Sequence, residues 1–346
     1  MISGNIKCKD LRRLSDMYKS FRANILRHQF IHEGDSVLVG VSGGVDSVVL
    51  ASLLVALKND IDFALSVAHV NYGLRGAESD AQEALVCEFA RSKKLECFVS
   101  KAPSLKTAGD NFQSAARKFR YLYFSEVAVQ IGANKVAVAH HLEDQVETIL
   151  AHLLRGSSLK GLGGMKGMRS LRATVSLIRP LLSFSKEDLK NYASKNNIAT
   201  LEDSSNASTK YWRNRLRQEL LPVIQKLRPR AFEKIVRLGG EIRDWSDIVS
   251  DQAKEWLLAF AKKEEDKIWL PGPRLKKLPK MLRLEILHQA ALSLKSDLAD
   301  LKKDHLVRCD QLSHGGKSEG YYLLPDRLKF VRACDNLFFM LAPESK

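Results

Sequence analysis

Ser36-Val-Leu-Val-Gly-Val-Ser42-Gly43-Gly44-Val45-Asp46-Ser47, running straight into Val48-Val-Leu-Ala-Ser-Leu-Leu-Val-Ala-Leu57, is the stretch that decides the fold. Val37 to Val41 is β-branched, apolar and of buried-strand length. The segment after Ser47 is longer, apolar and free of Gly and Pro, as a buried helix is. The turn between them is suited to an anion. Gly43 and Gly44 lack a Cβ, so the backbone can bend sharply and approach a ligand closely. The N–H groups of the turn and of the first helical residues then point to one place, and the helix dipole and the Ser42 and Ser47 hydroxyls add to the field.

A Gly-rich turn by itself can merely cap a strand. This one has Ser-Gly-Gly-x-Asp-Ser after a strand and before a helix, and it lacks the Gly-Lys-Ser/Thr of a Walker loop. It resembles the PP-loop of ATP pyrophosphatases, which cut ATP between its α and β phosphates and use the adenylate to activate an oxygen of a second substrate. The resemblance implies that Ser42, Gly43, Gly44, Val45, Asp46 and Ser47 bind ATP. It also implies that Asp46 holds Mg²⁺ against the phosphates, since hard oxygen ligands suit that ion.

The whole chain sets the frame. Its 346 residues predict two or three domains and an ample core. No apolar run reaches membrane-spanning length, and Met1 to Asp10 has no apolar signal region, so a cytoplasmic protein without membrane contact is expected. The five cysteines are scattered and none forms a Cys-x-x-Cys pair, which argues against a disulfide framework or a zinc ribbon. The formal net charge of +15 predicts attraction to polyanions, nucleic acid first among them.

Outward from the loop, strand and helix alternate. Residues 10–30 read as a basic amphipathic helix packed on the sheet, with Leu11, Leu14, Tyr18, Phe21, Ile25 and Leu26 near helical spacing. Strands are expected over 63–70, 95–100, 135–139 and 175–178, and helices over 111–131 and 186–196. A helix after Tyr72 to Glu78 is expected to be capped by Ser79 or Asp80. This alternation predicts an α/β fold with a doubly wound parallel sheet, whose ligands sit at the carboxyl ends of the strands. The Gly-rich turn, His69 and the segment His140 to Thr148 all fall at such ends.

Asp144 and Glu147, three apart at a helix start, share one face. A solvated polar face is one explanation and an ammonium-binding pair another. The order His140, His141, Glu143 does not match the His-Glu-x-x-His of zinc hydrolases. Residues 153–165 read as a flexible Gly-rich loop carrying Arg155 and Lys160. Residues 210–230 hold seven basic side chains against Glu219 alone. Most such runs are solvated faces, yet Arg213 and Arg217 at i,i+4 could jointly face a phosphate. Beyond Pro222 the composition shifts: helices are expected over 231–262 and 279–294, a loop at Pro271-Gly272-Pro273, and short strands from Lys317 to Leu341. This is a smaller, mostly helical second domain.

Taken together, Ser42 to Ser47, His69-Val-Asn-Tyr-Gly-Leu-Arg75, Ala116-Arg117 with Arg120-Tyr121, His140 to Thr148, Leu154 to Met165, Arg179 to Leu182 and Glu202 to Pro222 resemble, in order, the tRNA(Ile)-lysidine synthase family. Tyr72 stands where that family often has His and Ser158 where it often has Gly, and a member without the extra C-terminal domain of the longer ones is expected. The resemblance implies a PP-loop ATP-binding catalytic domain over 1–222 and a smaller tRNA-contacting domain over 223–346. It implies ligation of free lysine to C2 of the wobble cytidine of a CAU-anticodon isoleucine tRNA, through an adenylated tRNA, with ATP and Mg²⁺. Asp46, Arg117, Asp144, Glu147, Arg213 and Arg217 would be catalytic and His69 would lie at the nucleotide. Asp144 and Glu147 would bind lysine, and Arg155 and Lys160 the tRNA. The oligomeric state stays open, a homodimer being one option. Two alternatives compete: a PP-loop tRNA thiolation enzyme, which depends on paired cysteines, and an RNA-binding protein without chemistry.

Overall fold

The computed structural model describes residues 8–73, 76–102, 111–156, 159–201, 212–295, 298, 301–315 and 319–341. The expected roles of Arg75, Ser158 and Glu202 to Tyr211 lie outside the described residues.

The first half follows the alternation of the sequence. Helix α1 (Cys8–Arg27) leads into β1 (Ser36–Gly40), α2 (Val45–Leu57), β2 (Ala64–Asn71), α3 (Ala77–Ser92), β3 (Cys97–Lys101), α4 (Asn111–Gln130), β4 (Lys135–Ala137) and α5 (Leu142–Leu154). Next come α6 (Leu159–Leu162), β5 (Met168–Arg172), β6 (Val175–Ile178) and α7 (Lys186–Lys195). The sheet order is β3-β2-β1-β4-β6-β5, with every pair parallel except β5 with β6. Helices cover both faces, because side chains alternate along each strand. Val37 and Val39 of β1 join Phe21, Ile25, Leu50, Leu54 and Leu189 on the face of α1, α2 and α7. Leu38 joins Phe124, Val127 and Ala128 of α4 on the other. Gly40 turns toward that second face, and a Cβ there would lie 2.5 Å from the Phe124 ring, so α4 comes down on the sheet where β1 has no side chain.

Several boundaries differ from expectation, each for a local reason. Helix α3 is preceded by Gly76 at φ +49°, not by Ser79 or Asp80. Asp80 falls in the first turn and accepts a hydrogen bond from the Asn71 side chain at 3.1 Å. Leu26, placed with the buried face of α1, is exposed, whereas Phe21 and Ile25 are fully buried. The stretch expected as a flexible Gly-rich loop holds regular structure in its described residues, 153–156 and 159–165. Leu153 and Leu154 complete α5 and 159–162 form a helical turn. Met165 is held by Gln145 through two bonds, backbone N–H to Oε1 at 2.7 Å and Nε2 to the carbonyl at 2.9 Å. Strand β5 escapes a pattern reading because four of its five residues are exposed, so it has no apolar alternation.

After residue 211 the chain forms α8 (Trp212–Arg215), a π-helical segment (Leu216–Leu220) and α9 (Leu221–Leu227) without a break, and Pro222, which has no N–H to donate, follows directly on the π-helical turn. Helix α10 (Ala231–Phe260) follows. The last part holds β7 (Lys262–Lys263), β8 (Lys267–Pro271), α11 (Gly272–Lys276), α12 (Lys280–Leu294), α13 (Lys303–His314), β9 (Glu319–Leu323), β10 (Leu328–Ala333) and β11 (Asn336–Leu341). Its strands make an antiparallel sheet in the order β7-β8-β11-β10-β9. The expected hairpins after Lys317 are present. Strands β7 and β8, and a helix rather than a loop at Gly272 and Pro273, were not foreseen. A core of Phe330, Phe339, Leu287, Leu337 and Ala290 closes this sheet against α12. The pair of half-buried Arg283 and buried Asp310, with bonds of 2.7 and 2.9 Å, ties α12 to α13.

By compactness the chain divides into Met1–Arg155 with Gly164–Leu238, and Gly156–Gly163 with Gly239–Lys346. Residues 223–238, which the sequence reading set after the boundary, therefore go with the first unit.

Candidate active site

The site begins at the turn after β1. Gly43 has φ +91°, a conformation that favours glycine, and a Cβ there would come within 3.3 Å of Gln82. Gly44 caps α2 in extended conformation. The Ser47 hydroxyl donates to the Gly44 carbonyl at 2.9 Å and accepts from the Ser42 N–H at 3.0 Å. The Ser42 and Ser47 hydroxyls lie 3.1 Å apart. Ser47 thus shapes the turn itself, a role its place in the motif does not announce. In the first turn of α2 the Ser47 N–H bonds the Gly44 carbonyl at 3.1 Å, while the leading N–H groups, those of Val45 and Asp46, lie ahead of the first intrahelical acceptor and suit an anion.

Asp46, in that first turn, has its carboxylate raised above the usual range by burial, against the opposing charges of His141 and Lys186. Its Oδ1 is buried without a hydrogen-bond partner. An oxygen so placed beside phosphate-binding N–H groups fits a Mg²⁺ ligand. Among the described residues no group of three His, Cys, Asp or Glu side chains forms a metal centre. In such a site the protein would supply Asp46 and the nucleotide the other oxygens, which is how Mg²⁺ usually binds.

Across the carboxyl ends of β1 and β4 stands a residue that the sequence reading weighed only as a zinc pattern. His141 Nε2 lies 3.6 Å from Asp46 and 3.4 Å from Asp144, while Nδ1 meets Glu143 at 2.8 Å. Burial disfavours its charge, but the Glu143 bond and the Asp144 and Asp46 carboxylates outweigh that and raise its pKa. Glu143 is in turn bound by the Lys186 N–H at 3.0 Å. The backbone N–H of His141 donates to Asp144 at 3.1 Å, capping α5. His141 therefore bridges the Asp46 and Asp144 carboxylates. The signal was present in the His-His dipeptide at a strand end.

Asp144 and Glu147 do share a face of α5, and they share a partner. One guanidinium nitrogen of Arg217 lies 2.9 Å from Asp144 and 2.7 Å from Glu147. Burial opposes the ionised form of both acids. In Asp144 the charges of His141, His140 and Arg217 overcome it and its pKa is lowered, whereas in Glu147 burial prevails and the pKa is raised. Arg213 is near enough for its charge to act on Glu147. The expectation that Arg213 and Arg217 face one phosphate together assumed regular α-helical spacing. The π-helical turn that starts at Leu216 breaks that spacing, and Arg217 turns to the acids.

His69, at the end of β2, is buried, with Nδ1 2.8 Å from the Val41 carbonyl and Nε2 unpartnered. Burial lowers its pKa, so it is neutral and the carbonyl bond makes Nδ1 the protonated nitrogen. It braces the strand that leads into the Gly-rich turn. Arg117 is exposed and lies 5.2 Å over the Tyr121 ring. Arg155 lies 4.8 Å over the ring of Trp212. Lys160, on α6, is exposed and belongs to the second compact unit.

A nucleotide loop at the end of β1, in a sheet of this order, defines an ATP-using enzyme of the PP-loop class, and the model of the PP-loop domain family matches residues 12–224. The chain belongs to the tRNA(Ile)-lysidine synthase family. It is 33% identical over 336 residues to the tRNA(Ile)-lysidine synthase of Geobacter sulfurreducens, covering 96% of this chain and 70% of that protein. It is 32% identical over 334 residues to the enzyme of Geobacillus kaustophilus, covering 95% and 72%. Among solved structures, the U34-tRNA thiolase NcsA from Methanococcus maripaludis with its 4Fe–4S cluster superposes with a TM-score of 0.57 at 18% identity, over 67% of this chain and 80% of that one. That likeness concerns the fold alone.

Proposed function

We propose that this enzyme joins free lysine to C2 of the wobble cytidine in tRNA(Ile) with a CAU anticodon, at the expense of ATP. The cytosine O2 attacks the α-phosphorus and pyrophosphate leaves. The lysine ε-amine then adds at C2 and AMP departs with the former O2, so one proton is released. The turn at Gly43 and Gly44 and the start of α2 hold the phosphates. Asp46 would hold Mg²⁺, which when bound offsets charge on the phosphate oxygens. Arg117 and Arg213 stabilise the charge developing on phosphate and base.

The observation that carries the lysine assignment is the Arg217 contact. Asp144 and Glu147 already receive one cationic N–H donor between them, the geometry that an ammonium requires. An unperturbed lysine amine has a pKa of about 10.4 and must lose a proton to attack. Glu147, with its raised pKa, is the better acceptor of the two, and Asp144 the better permanent anion. The region after residue 222, with Arg155 and Lys160, contacts the tRNA. All substrates occur together in the cytoplasm, where we place the enzyme. The deciding experiment incubates pure protein with labelled lysine, ATP and total tRNA. Label in tRNA is the expected result, and its absence with folded, ATP-binding protein would sink the assignment.

The net charge of +15 gives a second expectation. Phosphate contacts release counterions, so tRNA affinity should fall steeply with salt. Arg155→Ala or Lys160→Ala should each reduce the slope of log affinity against log salt by about 1. Filter binding from low to moderate salt measures this, and an unchanged slope in both variants would remove these two residues from the tRNA surface.

A further inference from the structure

Among the described residues, four arginines gather beside the site without a carboxylate between them. Arg117 and Arg169 lie 5.2 and 5.4 Å over the same ring, that of Tyr121 on α4. Arg179, buried at the end of β6, bonds the Lys166 carbonyl at 2.7 Å and the Tyr121 side chain. The Arg120 Nε donates to the Tyr72 hydroxyl at 3.1 Å, and that hydroxyl donates to the Ala116 carbonyl at 3.1 Å. Among the described residues none of the four has an ion-pair partner, although the chain holds 40 acidic residues.

The positive charges of the cluster oppose one another. Burial lowers the pKa of Arg179, and the charges of Arg169 and Arg117 push the same way. His140, facing Arg179, Arg117 and Arg120, is driven down to about 3 by burial with the help of those charges, against the pull of Asp144. The Nε of Arg179 and the Nδ1 of His140 are buried without a hydrogen-bond partner. Like charges held by aromatic faces and backbone carbonyls, with their remaining N–H edges uncommitted, are stabilised most by an anion.

The place selects which anion. Nucleotide phosphates belong to the turn after β1, whereas Arg179 directly follows β6 and Arg169 lies on β5, two and three strands away in the order β1-β4-β6-β5. At about 4.8 Å per strand this is on the order of 10 to 14 Å from the loop, beyond the phosphates held there. A polynucleotide whose base reacts at the loop has phosphates at such distances.

We propose that Arg120 and Arg169, set by Tyr72 and Tyr121 over the buried charge of Arg179, form a subsite for a backbone phosphate of the RNA next to the reacting nucleotide, with Arg117 marking its border with the reacting phosphate. This rests on the RNA substrate proposed above. The test uses Arg169→Ala, since Arg169 is exposed on an edge strand and touches neither the Gly-rich turn nor the acid pair. Binding of tRNA is measured without ATP across a salt series, and KM for ATP at saturating tRNA. The expected result is roughly tenfold weaker tRNA binding at low salt, a salt slope shallower by about 1, and an unchanged KM for ATP. Arg169→Lys should keep the slope, and Arg120→Ala should reproduce the loss. Wild-type affinity and slope in both alanine variants would overturn the proposal, as would a raised KM for ATP with tRNA binding intact. If the wild-type protein itself fails to bind tRNA, the proposed function fails instead, and the two failures are told apart by that control.

Discussion

Asp46→Ala is expected to abolish pyrophosphate release, with turnover falling by roughly a thousandfold or more, while the fold and tRNA binding persist. Asp46 is the one carboxylate in the first turn of α2, and its buried Oδ1 has no hydrogen-bond partner. Removal leaves the turn standing, because Ser42, Ser47 and the Gly44 carbonyl hold it through bonds that do not involve Asp46. It does take away the oxygen proposed above for Mg²⁺ and one of the charges acting on His141. Pyrophosphate release with tRNA(Ile) and ATP, followed beside tRNA binding, measures both halves of the expectation. Normal ATP-dependent turnover in the variant would remove Asp46 from the phosphate site, and loss of tRNA binding together with activity would point to a collapsed fold.

Asp144→Asn and Glu147→Gln should behave differently from Asp46→Ala: pyrophosphate release continues while lysidine forms poorly. Each charge-assisted hydrogen bond to an ammonium contributes roughly 1.5–3 kcal/mol, so loss of one should raise the lysine requirement by about one to two orders of magnitude. High lysine should restore Asp144→Asn further than Glu147→Gln, since the latter also loses the group that accepts the amine proton. Lysine saturation curves at fixed ATP and tRNA give the comparison. Should the variants bind lysine normally and fail to release pyrophosphate, the acids serve the metal and phosphates, and the lysine pocket must be sought elsewhere, around Glu78.

Much of this architecture is legible in the sequence because periodicity and burial coincide there. Val37 to Val41 alternate onto two cores, and the apolar run from Val48 to Leu57 is buried along nearly its whole length. Asp144 and Glu147 could be paired from spacing alone, since α5 is a regular helix. What escaped depends on contacts between distant segments. Strand β5 is exposed and owes its conformation to pairing with β6, not to its own side chains. Strand β8 pairs with β11, which lies more than sixty positions further on. The part of Arg217 was hidden by a π-helical turn, which no three- or four-residue period announces. His141 was hidden because its partners, Asp46 and Asp144, come from different helices and meet only when β1 and β4 are neighbours.

The Arg217 contact has a thermodynamic consequence. A single guanidinium that satisfies both acids competes with any ammonium for the same place, so the apparent affinity for lysine is the intrinsic one multiplied by the fraction of molecules in which Arg217 has moved off. A phosphate that draws Arg217 toward itself raises that fraction. Such coupling is reciprocal: the factor by which nucleotide tightens lysine is the factor by which lysine tightens nucleotide. Lysine titrated calorimetrically should therefore bind several-fold more tightly in the presence of a non-hydrolysable ATP analogue with Mg²⁺. Arg217→Ala should bind lysine equally with and without the analogue. Equal lysine affinities in the wild-type protein would mean that the arginine and the amine occupy separate places. With the expected coupling, the enzyme takes its amine by exchange for one of its own cations, and the mutual tightening of its two small substrates is written into an ion pair.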